Sequence, residues 1–184
     1  MNIPPLNLAI EYVDHPIEGG HILHIPKDYQ KKKLPHLNAW IEELRKPGLV
    51  QGRGMLCFVN RGNPDKIVSE CCLGVYCRVA GLDHKVSTDG LLFYRTYLHD
   101  GDADTAGMFK EYHPNFYGTV EILRDNVELS IQPESDRDGT IPPRIRLELG
   151  NAKHLSLTDL NDTYLFSFTQ IAQIVELLFS DEND

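Results

Sequence analysis

Three of the four cysteines fall within seven positions, in the segment VSECCLGVYC at residues 68–77. Cysteines can bind zinc, form a redox pair or act as nucleophiles, but each use requires a particular geometry. On a continuous helix the side chains of Cys71 and Cys72 point about 100° apart, and Cys77 lies about 140° from Cys72. One metal ion cannot easily collect all three, and adjacent cysteines are poorly placed for a disulfide. The pattern favours small apolar residues packed in a buried helix, with a reactive thiol and a metal site as alternatives.

A second candidate for chemistry is the arginine in QGRG at residues 51–54. Backbone N–H groups of a glycine-rich turn, together with a guanidinium, can hold a phosphate or carboxylate. The segment lacks the lysine and spacing of a P-loop and does not match a dinucleotide fingerprint. Further along, the LND of LSLTDLND can fix a turn, and its Asp162 could accept a bond from Arg53 or Arg78. The predicted ligand-binding residues are Arg53, Gly52, Gly54, Arg78, Asn161 and Asp162.

The acidic segment DGDADTAGMFKE at residues 100–111 partly fits a calcium-binding loop. Asp100, Asp102, Asp104 and Glu111 match ligand positions of such a loop, but Thr105 stands where the sharp turn requires glycine. We therefore expect an acidic surface loop, with a divalent-cation site as the alternative.

No catalytic constellation is recognisable among the histidines and serines. The eight histidines contain no H-E-x-x-H pair, and no serine has the G-x-S-x-G context. His21 and His24 are three residues apart in a predicted strand, so they should point to opposite faces. We predict no catalytic residue, no metal ligand and no cofactor.

Composition and charge narrow the class of protein. The chain has 184 residues, of which 41% are apolar and 24% charged, as in one globular domain. The net charge of −9 is uneven: residues 1–92 hold 11 Lys and Arg against 10 Asp and Glu, and residues 93–184 hold 7 against 17. General nucleic-acid binders concentrate Lys and Arg, so that class is disfavoured. Apolar runs are far shorter than the ~18 to 20 residues of a membrane span, and no secretory signal is visible, so we expect a cytoplasmic protein.

Apolar periodicity predicts two of the helices that would position these residues. Apolar positions recur every three or four residues between Leu37 and Leu44, and Pro47 and Gly48 end the pattern. A second helix is predicted through the cysteines to about residue 80, with Asn63 or Asp65 as its cap.

The C-terminal part of the sequence predicts two further helices. Ser167 and Gln170 have the spacing of a capping box before an apolar stripe. The following SDEND at residues 180–184 places acid at the wrong end of the helix dipole, and we expect this tail to fray. In residues 141–150, IPPRIRLELG, apolar and polar residues alternate as in a strand. Proline at the start and glycine at the end are typical of a short helix, and we predict the helix.

Strands are predicted in three places. The runs on either side of Gly19 and Gly20 suggest a hairpin, residues 55–59 read as a strand after the QGRG turn, and residues 120–131 alternate around a turn at 124–126.

Four stretches, in this order, resemble an uncharacterised family of small proteins from bacteriophages and bacterial genomes: QGRGML, CCLGVYCRVAGL, LSLTDLND and SFTQIAQIVELL. The resemblance covers about residues 37–82 and 140–179. Residues 1–35 and 93–138 depart from the family pattern and look like additions. The resemblance implies a fold grouping and a phage or prophage setting, without a reaction.

We therefore predict a single α+β domain over residues 1–184, with a buried cysteine-containing central helix and helices beside a small, mostly antiparallel sheet. The expected function is that of a non-enzymatic binding protein, a phage accessory or counter-defence factor that sequesters a host protein or an anionic, nucleotide-like signal. The alternative is a small enzyme acting on a nucleotide or amide-like substrate. No membrane association and no general nucleic-acid binding are expected.

Overall fold

A computed structural model describes residues 10–54, 56–60, 62–81, 84–86, 91–94, 126–131, 145–147 and 155–183. In chain order its elements are β1 (Tyr12–Ile17), β2 (His21–Pro26), β3 (Lys32–Leu34), α1 (Leu37–Leu44), β4 (Cys57–Asn60), β5 (Asn63–Glu70), α2 (Cys72–Val79), β6 (His84–Val86), β7 (Leu91–Tyr94), β8 (Glu128–Ile131), β9 (Ile145–Leu147), α3 (Phe168–Leu178) and β10 (Phe179–Asp181). A π-helical turn, Asp159–Thr163, precedes α3.

The predicted α+β class is confirmed, with mostly antiparallel sheets and a buried helix that contains Cys72 and Cys77. The contacts of the chain divide it into two compact units. The small unit consists of residues 1–30 and 123–153, and the large unit consists of residues 31–122 and 154–184.

The small unit is built on an antiparallel sheet with the strand order β1-β2-β8-β9. Gly19 and Gly20 both have positive φ, which glycine adopts at little cost, and they turn β1 back onto β2. In β2 the odd-numbered residues from His21 onward are buried, whereas Ile22 and His24 lie on the more exposed face. The predicted hairpin and the opposite orientations of His21 and His24 are confirmed.

The expectation of a helix over residues 141–150 is wrong at residues 145–147, which form strand β9; the rest of that segment lies outside the described residues. Pairing with β8 gives this segment backbone partners from far along the chain, and it outweighs the local proline and glycine signals. The strand half of the hairpin predicted over residues 120–131 is present as β8, whose described neighbours are β2 and β9. Residues 120–125 lie outside the part of the chain that the structure describes.

The large unit combines an antiparallel sheet, β5-β4-β7-β6, with a parallel pair of β3 and β10 and three helices. Helix α1 packs against both α2 and α3. Its Trp40 is fully buried, donates from Nε1 to the Cys72 carbonyl at 2.9 Å, and meets the Tyr76 ring edge-on at 5.1 Å. The capping box of Ser167 and Gln170 starts α3 as predicted.

The cysteine helix is shorter than predicted, and neither Asn63 nor Asp65 caps it. Residues 63–70 form β5, which pairs with β4, so the predicted helix does not extend over them. Cys71 is extended, and its Sγ accepts a hydrogen bond from the Gly74 N–H at 3.4 Å, which starts α2 one residue later. Strand pairing with a neighbour in sequence thus overrides the polar cap signals.

The expectation that the acidic tail at residues 180–184 frays is also wrong for its described part, residues 180–183. β10 runs parallel to β3, and the buried Asp181 carboxylate accepts a hydrogen bond from the Asn38 backbone N–H at 3.2 Å. Hydrogen bonds from Asn183 and Asn38 lower the pKa of Asp181. Helix α1 has no side-chain cap of its own at His36, so the distant Asp181 supplies the acceptor at its first turn.

Candidate functional site

The side chain of Asn161 joins three of the motifs singled out in the sequence. It is fully buried; its Oδ1 accepts from Gln51 Nε2 at 2.8 Å and from the Cys72 backbone N–H at 3.4 Å. Its Nδ2 donates to the Gly52 carbonyl at 2.8 Å and to Asp162 Oδ1 at 2.6 Å. The QGRG turn, the start of α2 and the LND turn therefore meet at one amide group.

The π-helical turn that carries Asn161 is fixed by local bonds. The carboxylate of Asp159 accepts from the backbone N–H and the hydroxyl of Ser156 at 2.8 and 2.7 Å, and the Ser156 Oγ accepts from the Asp159 N–H at 3.0 Å. Leu157 and Leu160 are buried on the same turn. Short polar side chains thus set the backbone, and two leucines anchor it to the core.

Arg53 stands exposed on a turn whose N-terminal end is held by backbone hydrogen bonds to Glu70. Gly52 donates from its N–H to the Glu70 carbonyl at 2.6 Å, and the Glu70 N–H returns a bond to the Val50 carbonyl at 3.0 Å. Gly54, next to Arg53, has φ 69°. No carboxylate of the described residues forms an ion pair with the Arg53 guanidinium, so the alternative in which Arg53 pairs with Asp162 is wrong. Asp162 instead accepts from Asn161.

Arg78 is held by two acidic residues and does not reach Asp162. Its Nε and Nη2 donate to the Glu70 carboxylate at 3.0 and 2.9 Å, and its Nη1 donates to Glu43 at 3.0 Å. The Glu70 side chain is 2% exposed and that of Arg78 is 31% exposed, so the pair joins a buried carboxylate to a half-buried guanidinium. The hydrogen bonds that Arg78 donates to Glu70, then the negative charge of Glu70 and the bond and charge of Glu43, raise the pKa of Arg78 further above its usual range.

The structure therefore brings Gly52, Asn161 and Asp162 into direct contact, with Arg53 and Gly54 on the adjoining exposed turn, and it ties Arg78 to other partners. The sequence reasoning missed Gln51 and Glu70. Gln51 was inside the quoted QGRG motif, where a polar side chain beside two glycines was the available signal. Glu70 had no such signal, because a glutamate in an assumed helix would be read as solvent-exposed.

All four cysteines are buried with free thiols, as expected for packing residues. Burial raises the pKa of Cys71 to about 11 and that of Cys57 to about 12, and it raises the pKa values of Cys72 and Cys77 as well. Cys72 Sγ also donates to the Leu157 carbonyl at 3.7 Å. Near neutral pH these thiols are protonated, and a protonated thiol is a poor nucleophile and metal ligand.

We expect the four thiols of the native protein to react with Ellman's reagent only after unfolding, because they are buried and protonated. Replacing Cys72 by Ala should lower the free energy of unfolding by about 1 to 3 kcal/mol through the cavity that it leaves. Thiol titration with and without denaturant, and urea unfolding, measure both. Rapid reaction of one thiol in the folded protein would contradict this expectation.

Over the described residues, no group of three or more His, Cys, Asp or Glu is placed to hold a metal ion, and no helix is long and apolar enough to cross a membrane. The acidic segment at residues 100–111 lies outside them. Comparison with protein-family models, with curated proteins and with solved structures finds no match.

Proposed function

We propose that the protein is a binding protein that sequesters an anionic partner through the Arg53 turn, as a phage or prophage accessory or counter-defence factor. The observation that carries the proposal is the exposed guanidinium of Arg53 on a turn held by Gly52, without a carboxylate partner among the described residues. The phage setting is supported by the motif resemblance.

The way in which the turn is held favours recognition of a ligand at this point. Asn161 binds the Gly52 carbonyl and β5 binds the Gly52 N–H, so the backbone before Arg53 is fixed from both sides. A fixed backbone reduces the conformational freedom that is lost when the turn binds a ligand, and the planar fork of the guanidinium matches phosphate and carboxylate oxygens. The net charge of −9 disfavours an extended nucleic-acid-binding surface, and it is compatible with a single contact to an anion at Arg53.

The partner is then a nucleotide-like signal or an acidic group on a host protein. Either partner would present phosphate or carboxylate oxygens to the Arg53 guanidinium. A binding screen with small anions distinguishes the two, because only the nucleotide-like partner is a small molecule. A small enzyme that acts on a nucleotide or amide-like substrate through Arg53, Asn161, Asp162 and a cysteine is the weaker alternative. The buried thiols are protonated, and the Asn161 amide already forms its hydrogen bonds within the protein.

We expect a nucleotide, cyclic dinucleotide or NAD derivative to raise the melting temperature of the wild-type protein in a thermal-shift screen. Ligand at one hundred times its Kd stabilises the fold by about 2.7 kcal/mol. Arg53→Lys should keep the melting temperature without ligand and bind about tenfold more weakly, since lysine loses the bidentate geometry.

The matched control is Arg45→Lys, the same change at another exposed arginine, which pairs with Glu176 at 2.5 Å. It should bind as the wild type does. If no small anion shifts the melting temperature at millimolar concentration, the small-ligand form of the proposal fails and a protein partner remains. If Arg53→Lys binds any ligand found as tightly as the control, the assignment of Arg53 is wrong.

A further inference from the structure

Three polar side chains on neighbouring strands of the small unit form a continuous hydrogen-bonded chain. His24 Nδ1 lies 2.7 Å from Asp14 Oδ1, and His24 Nε2 lies 2.7 Å from Ser130 Oγ. Asp14 is directly opposite His24 in the β1-β2 hairpin, and Ser130 lies one strand further on, in β8. A serine, a histidine and an aspartate thus meet in the order that activates a serine nucleophile.

The chemistry of the partners fixes the protons in this chain. An ionised carboxylate only accepts hydrogen bonds, so His24 Nδ1 carries the proton that is shared with Asp14. In the neutral ring Nε2 is then an acceptor, and the Ser130 hydroxyl donates to it. This tautomer is the one in which a histidine can remove the proton of an attacking serine.

The position of the cluster leaves it within reach of solvent. The side chain of His24 is 17% exposed and that of Asp14 is 65% exposed. Ile22 lies directly opposite Ser130 on β2, and Pro16 lies opposite Ile22 on β1. Arg146 holds the register position opposite Ser130 on β9, and Glu128 lies opposite His24, so the serine has an apolar neighbour on one side only.

We propose that Ser130, His24 and Asp14 form a nucleophilic site that cleaves activated acyl esters. Ser130 Oγ bonds to the acyl carbon while His24 Nε2 takes the hydroxyl proton; the bond from carbon to the leaving oxygen breaks, and that oxygen receives the proton from His24. A water molecule then attacks the acyl-serine, gives its proton to His24, and releases the carboxylic acid as the proton returns to Ser130 Oγ. The sum is ester plus water to acid plus alcohol, without redox change.

The restriction to activated esters follows from the sheet. The backbone N–H groups of β8 point in the sheet plane toward β2 and β9, and do not point to the face that carries the Ser130 hydroxyl. Donors of the oxyanion type are therefore not supplied by this strand. An aryl ester, whose phenolate leaving group departs readily, is the substrate class that such a site can serve. This inference concerns the small unit and does not rest on the function proposed for the Arg53 turn.

The test uses the full-length protein, a fluorophosphonate probe and p-nitrophenyl acetate. Native protein should acquire one probe adduct, located at Ser130 by peptide mass spectrometry, and should hydrolyse the ester. Ser130→Ala should abolish the adduct. His24→Gln should slow labelling and hydrolysis by about 10²-fold or more, and Asp14→Asn should slow both because the tautomer is no longer fixed. Asp14 is exposed, so its variant keeps the proposal testable if His24→Gln unfolds.

The matched controls are His15→Gln on the same strand as Asp14 and Ser180→Ala in β10, and both should label as the wild type does. A purely structural role, in which the three side chains only tie strands together, predicts no adduct at Ser130 in the folded wild-type protein. That result, or equal labelling rates in wild type, His24→Gln and Asp14→Asn with folding verified by circular dichroism, would overturn the proposal.

Discussion

Gly74→Ala is expected to destabilise the large unit strongly, because the added methyl group has no room. A Cβ at position 74 would lie 1.9 Å from the carbonyl oxygen and 2.8 Å from the carbonyl carbon of Leu56. That oxygen accepts the Cys71 N–H at 2.9 Å, so it cannot move away without breaking the entry to α2. We expect a loss of about 4 kcal/mol or more in the free energy of unfolding, measured by urea denaturation, or failure to fold.

The control for this substitution is Gly62→Ala, where the nearest atom to an added Cβ is the end of the Asn60 side chain at 3.4 Å. An exposed change of this kind should alter stability by no more than about 0.5 kcal/mol. If the free energy of unfolding of Gly74→Ala lies within about 1 kcal/mol of the wild-type value, a loss below that for ordinary overpacking, the close approach of α2 to the Leu56 carbonyl is wrong.

Arg78→Met is the second change with a large expected effect, because it leaves the carboxylate of Glu70 buried and unpaired. Removing one member of a buried ion pair costs about 3 to 5 kcal/mol. Methionine keeps the length and apolar stem of the side chain, so the loss reports mainly on the charge. Urea denaturation at neutral pH measures it.

Two further proteins make this measurement specific. Adding Glu70→Gln to Arg78→Met should recover much of the lost stability, since an amide is far cheaper to bury than a charge. Arg45→Met removes the exposed pair with Glu176 and should cost less than about 1 kcal/mol. Equal losses for Arg78→Met and Arg45→Met would show that burial does not set the strength of the Arg78 pair.

The elements that could be predicted from the sequence are those with local signals. The hairpin follows from Gly19 and Gly20, and the start of α3 follows from Ser167 and Gln170, because each signal acts on backbone a few residues away. The segments at residues 63–70 and 145–147 were misassigned because strand pairing with β4 and β8 decides their conformation. The residue pattern of one segment does not show which distant strand will pair with it.

The two candidate sites divide in the same way. The glycines around Arg53 and the LND turn could be chosen from residue type, but their meeting at Asn161 depends on contacts across more than a hundred residues. The pairing of Asp14 with His24 follows from the register of the predicted hairpin. Ser130 joins them only because β8 pairs with β2, and no short sequence motif predicts that pairing.

The acceptor that Asp181 gives to the first turn of α1 has a consequence for synthesis on the ribosome. A nascent chain that has emerged only as far as α1 and α2 lacks β10, and therefore lacks both the partner strand of β3 and the carboxylate that completes α1. These contacts have high contact order, so their formation is expected to wait until translation has nearly finished. Until then the buried faces of α1 and α2 are available to chaperones, and a release from the ribosome before residue 179 would yield a chain that cannot close this part of its core.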